Sequence, residues 1–285
     1  MKQKSIAVQY QNIQLPIKYI IYGFDRLSFY GDETNPNFDI ETLRNHCREI
    51  NVIPSKIKYQ FIWTTLVELF QPDEECLNII YKYIENSGCR VRFKYIEISA
   101  DFIANSLREA KIIKNFLLAH IVFSKIRSKV QFFGKRKTYY FRPRSVSSKK
   151  CPVNFVLYHD RLSKLQNATP SEKCCHIELR LTGSNAMDEF GITSFKDILN
   201  FDFPTFFHTH IRLMRIKSKV SFARMIRDDP EVSNTALRNH ANRVLINSQV
   251  GGQFVMQELI HQCPVIKDIL KPISDSLFDQ TGGRR

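Results

Sequence analysis

Acidic side chains occupy polar positions of alternating patterns in two short segments of this 285-residue chain. In "YIEISADF", Glu97 and Asp101 lie four residues apart within alternating polar and apolar positions, which predicts a strand with both carboxylates on one face. In "CHIELRL", Glu178 occupies the polar side of a similar pattern. If the two strands are neighbours, these residues form an acidic cluster, and Asp25 of "GFDRLSF" could add a fourth carboxylate.

Carboxylates that share one face repel each other unless a cation lies among them. Oxygen ligands of this kind select Mg²⁺ or Mn²⁺ rather than zinc. A divalent ion beside a phosphate-binding surface indicates phosphoryl chemistry, because the ion stabilises charge on the phosphate oxygens. The alternative is that the acids pair with Arg and Lys on a polar sheet face, and spacing alone favours that explanation.

The segment "VNFVLYHDRLSKL" (153–165) alternates as a strand does until Tyr158, where the sequence becomes charged. A tyrosine hydroxyl can open a phosphodiester and form a covalent intermediate, and the step is reversible because phenoxide is a moderate leaving group. Tyr139 and Tyr140 are alternative nucleophiles. Packing in the core or at its rim is the other explanation for any of the eleven tyrosines.

The charge balance favours a polyanionic partner. The formal net charge is +14, and residues 110–159 contain twelve Lys or Arg but no Asp or Glu. Residues 203–227 are also free of acids and contain six Lys or Arg. Phosphates are the obvious counter-charge for such segments, so we expect nucleic acid, with a merely basic surface as the alternative.

The hydrophobic patterns predict an α+β fold with a largely antiparallel sheet, flanking helices and a helical C-terminal region. We expect a catalytic region at 1–183 and a basic helical region at 184–285, packed on the first and a candidate for DNA binding. The predicted strands cover 17–29, 55–63, 90–102, 128–133, 137–142, 153–158 and 174–181. The predicted helices cover 39–50, 72–88 and 103–121, followed by helical spacing at 203–216 and 233–250.

Composition excludes several other classes. No apolar run approaches the roughly 20 residues of a membrane span, and the N-terminus lacks a signal-peptide core. The seven cysteines include no CxxC pair, so we expect reduced thiols in a cytoplasm. The sequence has neither a Gly-rich phosphate loop nor the Cys and His spacing of a zinc site.

Four segments in order, "RFKYIEISADF", "KTYYFRPRSVS", "VNFVLYHDRLSKL" and "CCHIELRLTG", resemble the replication-initiation-factor family. These proteins are the rolling-circle initiators of small plasmids and filamentous phages. The resemblance covers residues 17 to 183 and implies a bacterial cytoplasm. It also implies an origin-specific nicking and joining enzyme that acts on single-stranded or hairpin DNA, together with a host helicase and polymerase. A homodimer is a further expectation.

The same resemblance assigns roles to residues. Tyr158 would attack the DNA strand, and Glu97, Asp101, Glu178 and, less firmly, Asp25 would hold Mg²⁺ or Mn²⁺. The remaining candidates are basic residues expected to contact DNA. They are Lys135, Arg136, Lys137, Arg142, Arg144, Arg161, Lys164 and Arg180.

Two alternatives stay open. "FFHTHIRL" places His208 and His210 one residue apart, which resembles the His-hydrophobic-His motif of another nickase superfamily. A helix with one or two partly exposed histidines is the simpler explanation. A non-catalytic, sequence-specific DNA-binding protein would need the basic surface but neither Tyr158 nor the acids.

Overall fold

The computed structural model describes thirteen stretches of the chain. They are residues 9–10, 13–34, 36–55, 62–123, 130–133, 138–141, 151–165, 172–216, 256–257, 260, 267, 270–273 and 276–279. The predicted helix at 233–250 and the basic residues Lys135, Arg136, Lys137, Arg142 and Arg144 lie outside them.

The described elements are thirteen strands and seven helices. The strands are β1 (Gln9–Tyr10), β2 (Ile13–Gln14), β3 (Tyr19–Gly31), β4 (Glu49–Pro54), β5 (Thr65–Phe70), β6 (Val91–Ala104), β7 (Ile121–Phe123), β8 (Val130–Phe133), β9 (Thr138–Phe141), β10 (Val153–Tyr158), β11 (Lys173–Thr182), β12 (Ile211–Ile216) and β13 (Leu270–Pro272). The helices are α1 (Ile40–His46), α2 (Glu74–Ser87), α3 (Leu107–His120), α4 (Ser184–Asp188), α5 (Phe195–Leu199), α6 (Phe203–His210) and α7 (Ser276–Asp279).

One eight-stranded sheet dominates the fold, in the order β4-β5-β3-β6-β11-β10-β9-β8. Every neighbouring pair in it is antiparallel. This confirms the predicted α+β class with a large antiparallel sheet. The long strands β6 and β11 lie side by side at the centre, which makes neighbours of the two predicted acidic strands.

The two faces of the central sheet differ in chemistry. One face carries buried apolar side chains such as Ile98 of β6, Leu179 of β11 and Phe155 of β10, and α3, α4 and α6 pack on that side. Aromatic rings from residues 190–207 extend this core, for example Phe24 of β3 against Phe203 at a centroid distance of 4.9 Å. Polar side chains therefore collect on the opposite face, as the two-residue period of a strand requires.

Most predicted elements are confirmed, and the helix α2 shows why. Asp73 caps its first turn by accepting a hydrogen bond from the backbone N–H of Cys76, and Gly88 ends it with φ 67°, the left-handed conformation that glycine adopts readily.

The strand prediction for 55–63 falls largely on residues 56–61, outside the described ranges. β5 was not predicted.

Two predicted helices are shorter than expected. The prediction of helix over 39–50 is wrong beyond His46, because the chain turns extended at Cys47 and enters β4. The helical prediction for 203–216 is wrong after His210. From Ile211 the chain alternates buried and exposed residues and forms β12, which pairs with β7.

The proposed division at residue 183 stays a prediction. Residues 184–216 pack on the first region through α4, α6 and the pairing of β12 with β7.

Six described cysteines carry free thiols. None of the helices in the described ranges is long and apolar enough to cross a membrane.

Lys114 of α3 is an unusual member of the core, because its side chain is only 2% exposed. Its Nζ lies 5.2 Å from the ring centroid of Tyr139, and no described carboxylate pairs with it. Burial disfavours the charged form and lowers the pKa of Lys114 from 10.5 to about 8. The lysine therefore reduces the stability of the fold at neutral pH.

We expect Lys114→Met to raise the free energy of unfolding at pH 7 by about 1–3 kcal/mol. Between pH 8 and 10.5 the unfolded chain binds the Lys114 proton more tightly than the folded chain, so wild-type stability rises with pH across that window. The variant should lack this rise. Urea unfolding at pH 7 and pH 9.5 measures both effects. The matched control is Lys111→Met, which changes an exposed lysine of the same helix, and equal effects of the two variants would contradict the prediction.

Candidate functional site

The polar face of the central strands carries three rows of side chains that run across β6, β11 and β10. Strand register aligns Asp101 with His176 and Tyr158 in the first row. The second row aligns Ser99 with Glu178 and Val156, and the third aligns Glu97 with Arg180 and Asn154. Three predicted metal ligands and the predicted nucleophile therefore share one surface.

Asp25 reaches this surface through an irregularity of β3. The register against β6 shifts between Phe24 and Arg26, so Asp25 is the extra residue of a β-bulge, a feature that redirects a side chain. Gln71 fixes it there: its side-chain amide donates to Asp25 Oδ1 at 2.6 Å, and its backbone N–H donates to the Asp25 carbonyl at 3.1 Å. Gln71 adopts φ 51°, a conformation that is unfavourable for a residue other than glycine.

Asp25, His176 and Glu178 form a cluster that could hold a metal ion. One ligand atom from each lies within 4.8 Å of the other two. Opposite ligands of a six-coordinate ion with bonds of about 2.1 Å lie about 4.2 Å apart, so small side-chain movements would close the site around an ion. Asp25 and Glu178 were predicted as ligands, whereas His176 was not.

His176 lies between two acids. Its Nδ1 is 2.5 Å from Asp101 Oδ1, and its Nε2 is 3.1 Å from Glu178 Oε2. Burial alone would lower the pKa of His176, but the adjacent charges and hydrogen bonds of Asp101 and Glu178 outweigh burial and raise it. Ser163 donates a second hydrogen bond to Asp101, which is completely buried.

Arg180 neutralises the other end of the acidic face. Its Nε donates to Glu178 and lies 3.4 Å from Glu97 Oε1, and Tyr95 donates its hydroxyl proton to Glu97. Burial and the charge of Glu178 raise the pKa of Glu97. Burial acts in the same direction on Glu178, yet His176 and Arg180 together lower the pKa of Glu178 below its usual value. Arg180, predicted to contact DNA, is thus engaged with two acids.

Tyr158 packs against the histidine of the cluster. Its ring stacks on the imidazole of His176 at a centroid distance of 4.5 Å, and the guanidinium carbon of Arg161 lies 4.9 Å from the Tyr158 ring centroid. The residue is 5% exposed. Burial, together with the charges of Glu178, Asp25 and Asp101, raises the pKa of Tyr158 above the ordinary value of 10.0. A cation close by would oppose the effect of those acids.

Ser99 provides a structural test of whether an ion fits this face. It is 0% exposed, it lies beside Glu178 in the second row, and its hydroxyl oxygen has no hydrogen-bond partner among the described residues. A buried hydroxyl without a partner is unfavourable. A hydrated ion held by Asp25, His176 and Glu178 would supply this oxygen with a water partner, so the donor set and its surroundings fit a divalent cation.

The remaining candidates occupy varied positions. Lys164 is exposed in the segment that follows Tyr158, Tyr140 is partly buried on the polar face beside Val156, and Tyr139 faces the core. His208 and His210 lie on helix α6, where positions i and i+2 point about 200° apart. They therefore do not form a two-histidine site on a strand. His210 packs against Phe206 at a centroid distance of 4.7 Å.

Comparisons with known proteins give distant similarity to solved structures. No protein-family model matches the chain, and no curated protein matches it in sequence. Among solved structures, the rolling circle replication initiator protein from Geobacillus stearothermophilus is similar at 11% identity and a TM-score of 0.35. The alignment covers 70% of this chain and 88% of that one.

We expect Arg180→Gln to lower the free energy of unfolding by about 3 kcal/mol, because it leaves the buried Glu178 and the partly buried Glu97 without their shared counter-charge. Adding Glu97→Gln should restore part of that loss. Urea denaturation of both single variants and the double variant measures the coupling. Arg212→Gln, at an exposed position of β12, is the control. A loss no larger than that of Arg212→Gln would contradict the role given to Arg180.

Proposed function

We propose that this chain is a metal-dependent DNA nicking and joining enzyme that initiates rolling-circle replication, with Tyr158 as the nucleophile. The single observation that carries the proposal is the position of Tyr158, whose ring stacks on His176 within the cluster of Asp25, His176 and Glu178. A phenol beside a candidate cation site, on the polar face of a rigid sheet, has the parts that transesterification of a phosphodiester needs. The four ordered sequence segments support the same reading.

The proposed reaction exchanges one phosphodiester for another. The Tyr158 hydroxyl gives up its proton, and its oxygen bonds to the backbone phosphorus. The bond from phosphorus to the 3′ oxygen then breaks, so the 3′ oxygen takes a proton and the 5′-phosphate stays on the tyrosine. A polymerase extends the released 3′-OH, and attack by a later 3′-OH on the phosphotyrosine closes the strand.

Asp25, His176 and Glu178 would hold the cation for this chemistry. Bound there, Mg²⁺ or Mn²⁺ would neutralise a non-bridging phosphate oxygen and offset the acids that raise the pKa of Tyr158. The protein's own part is positioning, since the stack on His176 fixes the tyrosine ring and the antiparallel pairing of β10 with β11 fixes its height over the sheet.

Arg161 would control access to the hydroxyl. It is exposed, and its guanidinium lies over the ring of a tyrosine that is itself buried. A phosphate binds a guanidinium more strongly than an aromatic ring does, so arriving DNA would draw Arg161 away and uncover Tyr158. Lys164 and the basic residues predicted at 135–137, 142 and 144 would add phosphate contacts, in an enzyme acting in a bacterial cytoplasm with host helicase and polymerase.

A second function deserves a test because Tyr158 is buried. A non-catalytic DNA-binding protein would retain the basic surface and use the acidic face only as a charge-balanced part of the fold. Supercoiled DNA carrying the cognate origin distinguishes the two functions. A protein that binds this DNA yet never nicks it in the presence of Mn²⁺ is a binding module.

We expect Tyr158→Phe to abolish nicking and the covalent protein–DNA adduct, since the attacking oxygen is removed. DNA affinity should stay within about threefold of wild type, because most affinity comes from phosphate contacts elsewhere. Denaturing gels that detect a protein-linked DNA strand measure the adduct. Tyr140→Phe, on the same face, is the matched control and should retain both. Normal nicking by Tyr158→Phe would show that the nucleophile is another residue.

We expect Arg161→Met to slow nicking by about 100-fold, as loss of one charged donor to a reacting phosphate does. Single-turnover rates with saturating DNA separate this effect from weaker binding. Arg108→Met removes an exposed charge from α3, which packs on the opposite side of the sheet, and should leave the rate unchanged. If both variants nick at the same rate, Arg161 has no part in the reaction.

A further inference from the structure

Asp101 was expected to bind the metal directly, but the structure gives its two oxygens other partners. Oδ1 lies 2.5 Å from His176 Nδ1, and Oδ2 accepts the hydroxyl proton of Ser163. The carboxylate is completely buried between them. Because both oxygens of the Asp101 carboxylate already have partners, this side chain is better placed to orient His176 than to bind an ion directly.

The segment after Tyr158 holds Ser163 in position. The Ser163 backbone N–H donates to the Glu172 carbonyl at 3.0 Å, and Leu162 forms a bridge with Lys173. Leu165 then packs with Ile21 and Ile103 on the polar side of the sheet. Because the chain is anchored before and after Ser163, its hydroxyl is directed at Asp101 by the fold rather than by chance.

The orientation of His176 follows from this arrangement. With Nδ1 bound to Asp101, Nε2 is the nitrogen that faces Glu178, which forms the candidate cluster together with Asp25 and His176. Histidines that bind metals commonly donate their second ring N–H to a carboxylate, which fixes the tautomer and increases the basicity of the ligating nitrogen. Asp101 is in the position of that carboxylate: it contacts His176 Nδ1, and Ser163 in turn donates a hydrogen bond to Asp101.

We propose that the cation site of this protein is a mixed nitrogen and oxygen site formed by Asp25, His176 Nε2 and Glu178, with Asp101 as a positioning residue that acts through His176. Glu97, engaged by Arg180 and Tyr95, lies outside the ligand set. This inference rests on the proposed function, because it names how the same site binds its cation.

The donor set has a consequence for metal choice. Mg²⁺ binds oxygen ligands and retains its waters, whereas an imidazole nitrogen favours first-row transition ions such as Mn²⁺ and Co²⁺. A site with one imidazole and two carboxylates should therefore bind Mn²⁺ more tightly than Mg²⁺. An all-carboxylate site of Glu97, Asp101 and Glu178 would lack the nitrogen that creates this preference.

The test is Mn²⁺ binding to the full chain without DNA, followed by electron paramagnetic resonance. Titration gives the Kd, and pulsed measurements detect coupling between Mn²⁺ and a directly bound ¹⁴N nucleus. We expect one bound Mn²⁺ with ¹⁴N coupling in wild type and none of this coupling in His176→Gln. A wild-type Mn²⁺ complex without ¹⁴N coupling would overturn the proposal even if every variant failed to fold.

Variants separate the positioning role of Asp101 from direct ligation. Asp101→Asn and Ser163→Ala should weaken Mn²⁺ binding by about 10- to 100-fold and 10-fold respectively, while the ¹⁴N coupling persists at saturating Mn²⁺. Glu97→Gln is the matched control on the same face and should leave the Kd within about threefold of wild type. Loss of Mn²⁺ binding in a folded Glu97→Gln protein would restore Glu97 to the ligand set and contradict the proposal.

Failure of this inference and failure of the proposed function give different results. If Tyr158→Phe still nicks DNA, the nucleophile is misassigned, yet ¹⁴N-coupled Mn²⁺ would leave the ligand set intact. If wild type nicks DNA through Tyr158 but its Mn²⁺ shows no ¹⁴N coupling, the proposed function is supported and the proposed ligand set of Asp25, His176 and Glu178 is wrong.

Discussion

Burying like charges on one face of a sheet is the constraint around which this structure is organised. Asp25, Glu97, Asp101 and Glu178 lie on or beside the same polar surface, where water screens them poorly. A buried carboxylate is tolerated only when it is paired and hydrogen-bonded. Each acid has such a partner, and for Asp25, Glu97 and Asp101 the partner lies on another part of the chain. The partners are Gln71 for Asp25, Arg180 for Glu97 and Glu178, and His176 with Ser163 for Asp101.

The sheet makes this arrangement rigid. Strands β6 and β11 are paired over ten consecutive positions, and their opposite face packs into the main hydrophobic core. A slip of one residue in either strand would place the acids in that core, so the register is strongly determined. Functional groups on such elements keep their geometry better than groups on loops. The polar face therefore has a fixed pattern of charge, and the segment after Tyr158, with its Arg161, borders it as irregular chain.

Period-two alternation was enough to predict that Glu97 and Asp101 share a face and that Glu178 lies on the polar side of its strand. It could not show which polar neighbours meet, because that depends on register across strands. His176 was visible as a residue on the face of Glu178, but nothing local distinguishes a histidine bound to Asp101 from a solvated one. The bulge at Asp25 breaks the period, and Gln71 joins Asp25 across 46 residues. Contacts between residues so far apart in the chain depend on how the strands pair in the fold, so they cannot be predicted from the pattern within one segment.

In the proposed nicking enzyme, the acidic face has a specific role within a chain of net charge +14. Uncompensated acids would repel a DNA phosphate from Tyr158, and they also keep the phenol protonated by raising its pKa. A cation among Asp25, His176 and Glu178 would reverse both effects at one place, and the Arg161 guanidinium carbon lies 4.9 Å from the centroid of the Tyr158 ring. The proposal thus assigns long-range attraction and local chemistry to different residues. Basic segments would bring the phosphate to the protein, and the acids would make reaction at Tyr158 conditional on a bound cation.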